Sequence, residues 1–124
     1  MLKGSCNCGG VSFTVKDGGR SVSACHCGQC RKQSGHHWAS GYSEVEKFTI
    51  EGDVRWFEVS ETAKRGFCPT CGCFLFWKAN DEDAMSFSLG AIDGPTGLNL
   101  QKHIFVADKG DYYDIADGVP QREH

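Results

Sequence analysis

Eight cysteines, set in tight groups, constrain this chain more than any other feature. They are Cys6, Cys8, Cys25, Cys27, Cys30, Cys68, Cys71 and Cys73. Cys6-Asn7-Cys8 and Cys25-His26-Cys27 are C-x-C pairs, Cys30 follows Cys27 at C-x-x-C spacing, and Cys68-Pro69-Thr70-Cys71-Gly72-Cys73 supplies another C-x-x-C. An even number of cysteines also permits a disulfide framework. Three observations oppose it. Met1-Leu2-Lys3-Gly4-Ser5-Cys6 lacks the apolar stretch of an export signal. Cysteine is about 6% of the chain (8 of 124), below the roughly 8–10% of disulfide scaffolds. And the cysteines cluster instead of dispersing to close loops. Zinc takes four ligands in a tetrahedron, so a four-thiolate site is built from two such pairs, usually from distant segments. Iron–sulfur ligation is the rival. The spacing points to zinc held by thiolates, two ions in all.

Local geometry refines that expectation. Residues two apart in a strand share a face. Each C-x-C pair should therefore offer two sulfurs to one side, with His26 pointing away into packing. Gly72 is placed to take a positive φ, which would aim backbone N–H groups at sulfur.

The rest of the chain reads as short strands. Val11–Val15 alternates and Asp17-Gly18-Gly19 turns. Ser21–Cys27, Lys47–Ile50, Val54–Val59, Phe74–Lys78 and Met85–Leu89 follow, divided by Gly and Asp. This predicts an all-β fold. One helical turn after Cys30 is the only helix signal, and Tyr112, Tyr113 and Ile115 suggest a last packed segment. With 124 residues, the chain is read as a single domain, 1–124. A net charge of −3 gives no footprint for nucleic acid or an anionic membrane. No apolar run is long enough to span a bilayer. The compartment expected is the cytoplasm, where thiols stay reduced.

Spacing leaves the pairing open. Eight sulfurs suit two closed four-thiolate sites, or one closed site and one open three-thiolate site with Cys73 left over. Here the chain resembles the glutathione-dependent formaldehyde-activating enzyme family, which includes the centromere protein V branch. The resemblance lies in Gly4-Ser5-Cys6-x-Cys8-Gly9, Cys25-His26-Cys27-x-x-Cys30-Arg31-Lys32-Gln33-Ser34-Gly35, Phe67-Cys68-Pro69-Thr70-Cys71-Gly72, His103-Ile104-Phe105 and the closing Asp117-Gly118-Val119-Pro120. It implies a small zinc-bound β-tent-like domain of curled antiparallel sheets. It implies a structural zinc on Cys6, Cys8, Cys68 and Cys71, and a catalytic zinc with an open position on Cys25, Cys27 and Cys30. The chain departs from the family by being shorter than the enzyme that names it, and by Cys73, which stands where a small residue such as Ser or Thr is expected. Cys73 is thus a candidate to close the second site, although a tetrahedron filled by Cys6, Cys8, Cys68 and Cys71 has no vacancy for it.

Three thiolates on zinc leave a charge of +2 − 3 = −1, which weakens the metal as a Lewis acid toward water. Binding and deprotonating an incoming thiol suits such a centre better. The resemblance accordingly implies a carbon–sulfur lyase acting on an adduct of glutathione with formaldehyde or another small aldehyde. The alternative is a non-catalytic, zinc-stabilised protein-interaction module. Arg31 and Lys32 adjoin Cys30, and Arg31 is the candidate for a glutathione carboxylate. His103 is a candidate second-shell donor or proton carrier. His36 and His37 are candidates to line a pocket. Trp56, Phe57, Phe74, Phe76 and Trp77 read as core. The thiol, the aldehyde and the oligomeric state are left open by the sequence.

Overall fold

The computed structural model describes all residues, Met1–His124. Its ten strands form two sheets. The smaller joins β1 (Leu2–Ser5), β2 (Ser12–Val15) and β5 (Phe48–Glu51), all antiparallel, in the order β1-β2-β5. The larger has seven strands. They are β3 (Arg20–Cys25), β4 (Trp38–Glu44), β6 (Arg55–Glu58), β7 (Ala63–Phe67), β8 (Phe74–Ala79), β9 (Ala84–Ser88) and β10 (Lys102–Ile104), in the order β10-β3-β4-β9-β8-β7-β6. The chain is mostly β, as its alternation indicates. It is not antiparallel throughout, because β10 runs parallel to β3, pairing His103 with Ala24 and Ile104 with Cys25. A long irregular crossover from β9 at the sheet centre to β10 at its edge makes that direction accessible. The one α-helix, α1 (Gly28–Ser34), begins before Cys30 instead of after it. No helix is long and apolar enough to cross a membrane.

Period-2 alternation decides what each sheet face carries. In β2, Phe13 and Val15 are buried and Ser12 and Thr14 only partly so. Phe13 meets Phe76 of β8 edge to face, ring centroids 5.0 Å apart, and Phe87 of β9 at 6.2 Å. This interlock, joined by Leu2, Val11, Leu75 and Met85, is the main core between the sheets. Truncating Phe76 to Ala would cost roughly 3–5 kcal/mol. Gly41 of β4 is needed for the same packing, since a Cβ there would lie 2.5 Å from the Phe87 ring.

A register shift between Gly66 and Phe67 leaves Leu75 as an extra residue in β8. This bulge lets adjacent Leu75 and Phe76 both be buried. The other face of the large sheet is different. Paired Arg65, Trp77 and Ser86 run across it, as do Ser23 and Ser40, and Cys25 opposite Trp38. That face carries a cavity, not a core. The expectation that five aromatics fill the core holds for Phe76 and, at its margin, Trp56. It fails for Trp77, which lines the cavity, for Phe74, which packs on the second cysteine cluster, and for Phe57, which is 59% exposed.

Candidate metal centres

The sulfurs of Cys6, Cys8, Cys68 and Cys71 gather into one group, all within 4.8 Å of one another. Strand faces do not bring them together. Cys6 lies just past β1, and the chain turns through Asn7–Gly10 before Cys6 N–H donates to the Val11 carbonyl at 3.0 Å. Cys8 therefore folds back beside Cys6. Cys68 follows β7 and its carbonyl accepts from Gly72 N–H at 2.8 Å, closing the Pro69–Cys71 turn. Gly72 has φ +76°, the left-handed region that glycine enters freely. Val11 N–H points at Cys6 Sγ (3.3 Å) and Gly10 N–H at Cys8 Sγ (3.4 Å).

These spacings test the fit of a metal. Cys6 and Cys8 sulfurs are 3.6 Å apart, and those of Cys8 and Cys68 3.7 Å. Disulfide sulfurs stand at ~2.05 Å, and all eight cysteines are free. With Zn–S of ~2.3 Å, the edge of a tetrahedron is ~3.8 Å. Four sulfurs at this spacing, supported by backbone donors, fit zinc well. Cys73 belongs to neither sulfur group. Its Sγ reaches only the Phe74 carbonyl, at 4.0 Å, and burial raises its thiol pKa.

Cys25, Cys27 and Cys30 form the second group. Cys25 ends β3, and Cys27 is the N-cap of α1, its sulfur accepting from Cys30 N–H at 3.4 Å. The expected strand through Cys27 stops two residues short because Cys27 takes this capping role. Hydrogen bonds from Cys25 and Cys30 hold the Cys27 thiol far below the ordinary range, at about 2, while Cys27 and Cys30 push Cys25 up. Three crowded sulfurs cannot all ionise alone, and a soft cation among them removes that conflict. This donor set also fits zinc, with three protein ligands.

His26, between two of these cysteines, is fully buried and turned away from them. Its Nδ1 lies 2.6 Å from Tyr113 Oη and its Nε2 2.9 Å from His103 Nδ1. His103 Nε2 lies 2.8 Å from Asp117 Oδ2. A carboxylate only accepts, so His103 Nε2–H donates to Asp117. With His103 neutral, its Nδ1 accepts from His26 Nε2–H, and His26 Nδ1 accepts from the Tyr113 hydroxyl. Burial, then the neighbouring His37 and His103, lower the His26 pKa to about 4, so it stays neutral in this chain of bonds. His103 thus supports His26 and meets no sulfur. His36 and His37 join the same group, with His36 4.2 Å from the Tyr113 ring and His37 5.0 Å from the His26 ring. They do not line the cavity beside the cysteines. The expected last packed segment is this tail, held by Tyr113 and Asp117 without forming a strand, and Tyr112 is 59% exposed.

The cavity has a volume of about 500 Å³ and is lined by all three cysteines of the second group and by none of the first. Arg65 of β7 reaches it, is only 3% exposed, and sets Nη2 3.4 Å from Cys30 Sγ and 3.2 Å from Gln29 Oε1. Its guanidinium carbon sits 4.9 Å from the Phe74 ring centroid. No carboxylate pairs with it. Arg65 was not singled out by sequence, because Ala63-Lys64-Arg65-Gly66-Phe67 looks like an exposed charged segment. Its place three residues before Cys68 is the one available signal. Arg31 lies outside the cavity, with Nε donating to the Asp108 carbonyl at 3.3 Å.

No curated protein matches the chain. A solved structure from Rhodobacter sphaeroides, a structural-genomics target, superposes with a TM-score of 0.60 at 23% identity, over 75% of this chain and 89% of that one. At that identity the likeness is one of fold. The model of the glutathione-dependent formaldehyde-activating enzyme family matches residues 1–108, a span containing both sulfur groups and Arg65. The chain belongs to the glutathione-dependent formaldehyde-activating enzyme family.

Proposed function

We propose that the chain, as one zinc-stabilised β-tent-like domain, is a carbon–sulfur lyase that makes and breaks the adduct of a thiol, glutathione first, with a small aldehyde. One observation carries the reading: the three-sulfur group opens onto a cavity that the four-sulfur group does not touch. Cys6, Cys8, Cys68 and Cys71 are the ligands of a structural zinc. Cys25, Cys27 and Cys30 hold the second. Zinc at the second group supplies a soft acceptor that lowers the pKa of an incoming thiol. The protein's own groups do the rest. The Cys27 cap and β3 fix the three sulfurs, and the bonds to His103 and Tyr113 fix His26 between them. Trp38, Trp77 and Ile104 exclude water from the cavity wall. Arg65 keeps a positive charge beside Cys30, which offsets the thiolates. Arg31, bonded to cavity-lining Asp108, is the cation for a glutathione carboxylate.

Cobalt replacing zinc makes the reading testable, since its spectrum reports ligand number and sulfur charge transfer. Glutathione should change the spectrum of about one of two cobalts per chain, and Cys27→Ser should abolish the change. A spectrum indifferent to millimolar glutathione would remove this function.

A further inference from the structure

The fully buried polar atoms of the cavity that lack a partner are all donors. Arg65 Nε, Arg65 Nη1 and Trp38 Nε1 are buried without an acceptor, and both side chains line the cavity. A buried donor left unpaired is costly, and a buried guanidinium without a carboxylate more so. Groups so placed are complementary to a ligand rich in acceptors, above all one that develops negative charge on oxygen. The other walls are partly apolar, with Ser23, Ser40 and Ser86 on the sheet side. Trp38, Trp77, Ile104 and Phe105 surround about 500 Å³, within the ~300–1,000 Å³ range of small-molecule sites. Formaldehyde, with two heavy atoms, cannot touch these walls together.

Phe105 adds an independent sign. It is 39% exposed and held at φ 55°, ψ 39°, left-handed backbone that a bulky residue rarely adopts. Asp108 N–H donates to the Phe105 carbonyl at 3.1 Å, and Val106 N–H donates to the Arg122 carbonyl at 3.0 Å. These bonds hold the backbone there and keep an aromatic ring on the cavity wall. Such strain is retained mainly at functional sites.

We propose that Arg65, assisted by Trp38, binds the oxygen of the thiol adduct, and that the aldehyde carries an apolar, ring-sized substituent. The proposal rests on the thiol-binding reading of the three-cysteine group. In the forward step, the thiolate sulfur donates an electron pair to the carbonyl carbon and a C–S bond forms. The C=O π pair moves onto oxygen, Arg65 stabilises the oxyanion, and water protonates it to the hydroxyl of a hemithioacetal. In reverse, the hydroxyl proton leaves to water, C=O re-forms, and the C–S pair returns to sulfur.

The test uses the zinc-loaded full chain and calorimetric titration with S-benzoylglutathione and S-benzylglutathione. The two differ only in the carbonyl oxygen on the carbon bonded to sulfur. The benzoyl compound should bind about tenfold tighter, the effect of a hydrogen bond to a charged group. Arg65→Met should bring that ratio close to one, Arg65→Lys should restore part of it, and Trp38→Phe should lower it severalfold while keeping the ring. Should Arg65→Met fail to fold by circular dichroism, the Lys and Phe variants decide. S-methylglutathione should bind about tenfold more weakly than the benzyl compound. Equal affinity for benzoyl and benzyl, or a ratio unmoved by the variants, overturns the oxygen site. Methyl binding as tight as benzyl overturns the apolar substituent. Failure of all three to bind overturns both claims. A glutathione-induced cobalt shift in that same protein would show the thiol reading surviving without them.

Discussion

The two cysteine groups use the same donor atom in contrasting surroundings. The first joins chain segments far apart, with Cys8 and Cys68 separated by 60 positions. It links the end of β1 in the small sheet to the end of β7 in the large one, and Cys6 and Cys68 are part of the main core. The second draws its sulfurs from Cys25 to Cys30, one strand end and one helical turn. It belongs to a small cluster with Trp38 and faces the cavity. Closing a long loop between sheets removes much chain entropy, and closing a six-residue one removes little. On the proposed function, sequence distance, not ligand chemistry, would separate a group that holds the fold from one free to serve a ligand.

That contrast can be broken by experiment. The largest effect is expected from Cys68→Ser. Zinc sites in small domains supply roughly 10 kcal/mol or more, comparable to the ~5–15 kcal/mol stability of a whole domain. The variant should lose its β signal in circular dichroism and aggregate. Chelation comes next. A strong chelator should remove metal in two phases, the first leaving the circular dichroism spectrum intact and the second abolishing it. A single phase in which metal and fold go together would erase the distinction. Cys27→Ser should be milder, giving a folded chain with one zinc fewer by metal analysis, because serine still caps α1. Loss of fold as complete as in Cys68→Ser would show the groups to be equivalent. Cys73→Ser should do least, keeping both zincs and a Tm within about 3 °C of the parent. Release of a metal would place Cys73 in a site and return weight to the closed, non-catalytic module.

Much of this was legible in the sequence, and the rest was hidden for identifiable reasons. Regular alternation announced β2, and the aromatic run announced β8. β4 was missed because Ala39-Ser40-Gly41 between Trp38 and Tyr42 breaks the apolar alternation, its glycine dictated by a Phe87 ring from another strand. β7 was missed because Arg65 reads as surface unless its burial against Phe74 and Cys30 is known. The sulfur groups match the grouping implied by resemblance, yet not for the reason first given. Turns at Asn7–Gly10 and the cap at Cys27 converge the sulfurs, where a continuous strand was expected. His103 could be flagged by sequence, but its bond to Asp117 depends on a parallel strand that local pattern does not encode.

The bonds that hold His26 have a consequence for the order in which the protein is made. Cys25, Cys27 and Cys30 leave the ribosome well before the residues that back them, and earlier segments are generally synthesised and fold first. The partners that fix His26 between them arrive much later, since Tyr113 is 87 positions and His103 77 positions further on, with Asp117 beyond both. The first group needs nothing past Cys71. A growing chain can therefore gather its scaffold sulfurs while the other three still lack their backing. The two groups are thus completed in sequence, the cavity-facing one only once Asp117 has emerged.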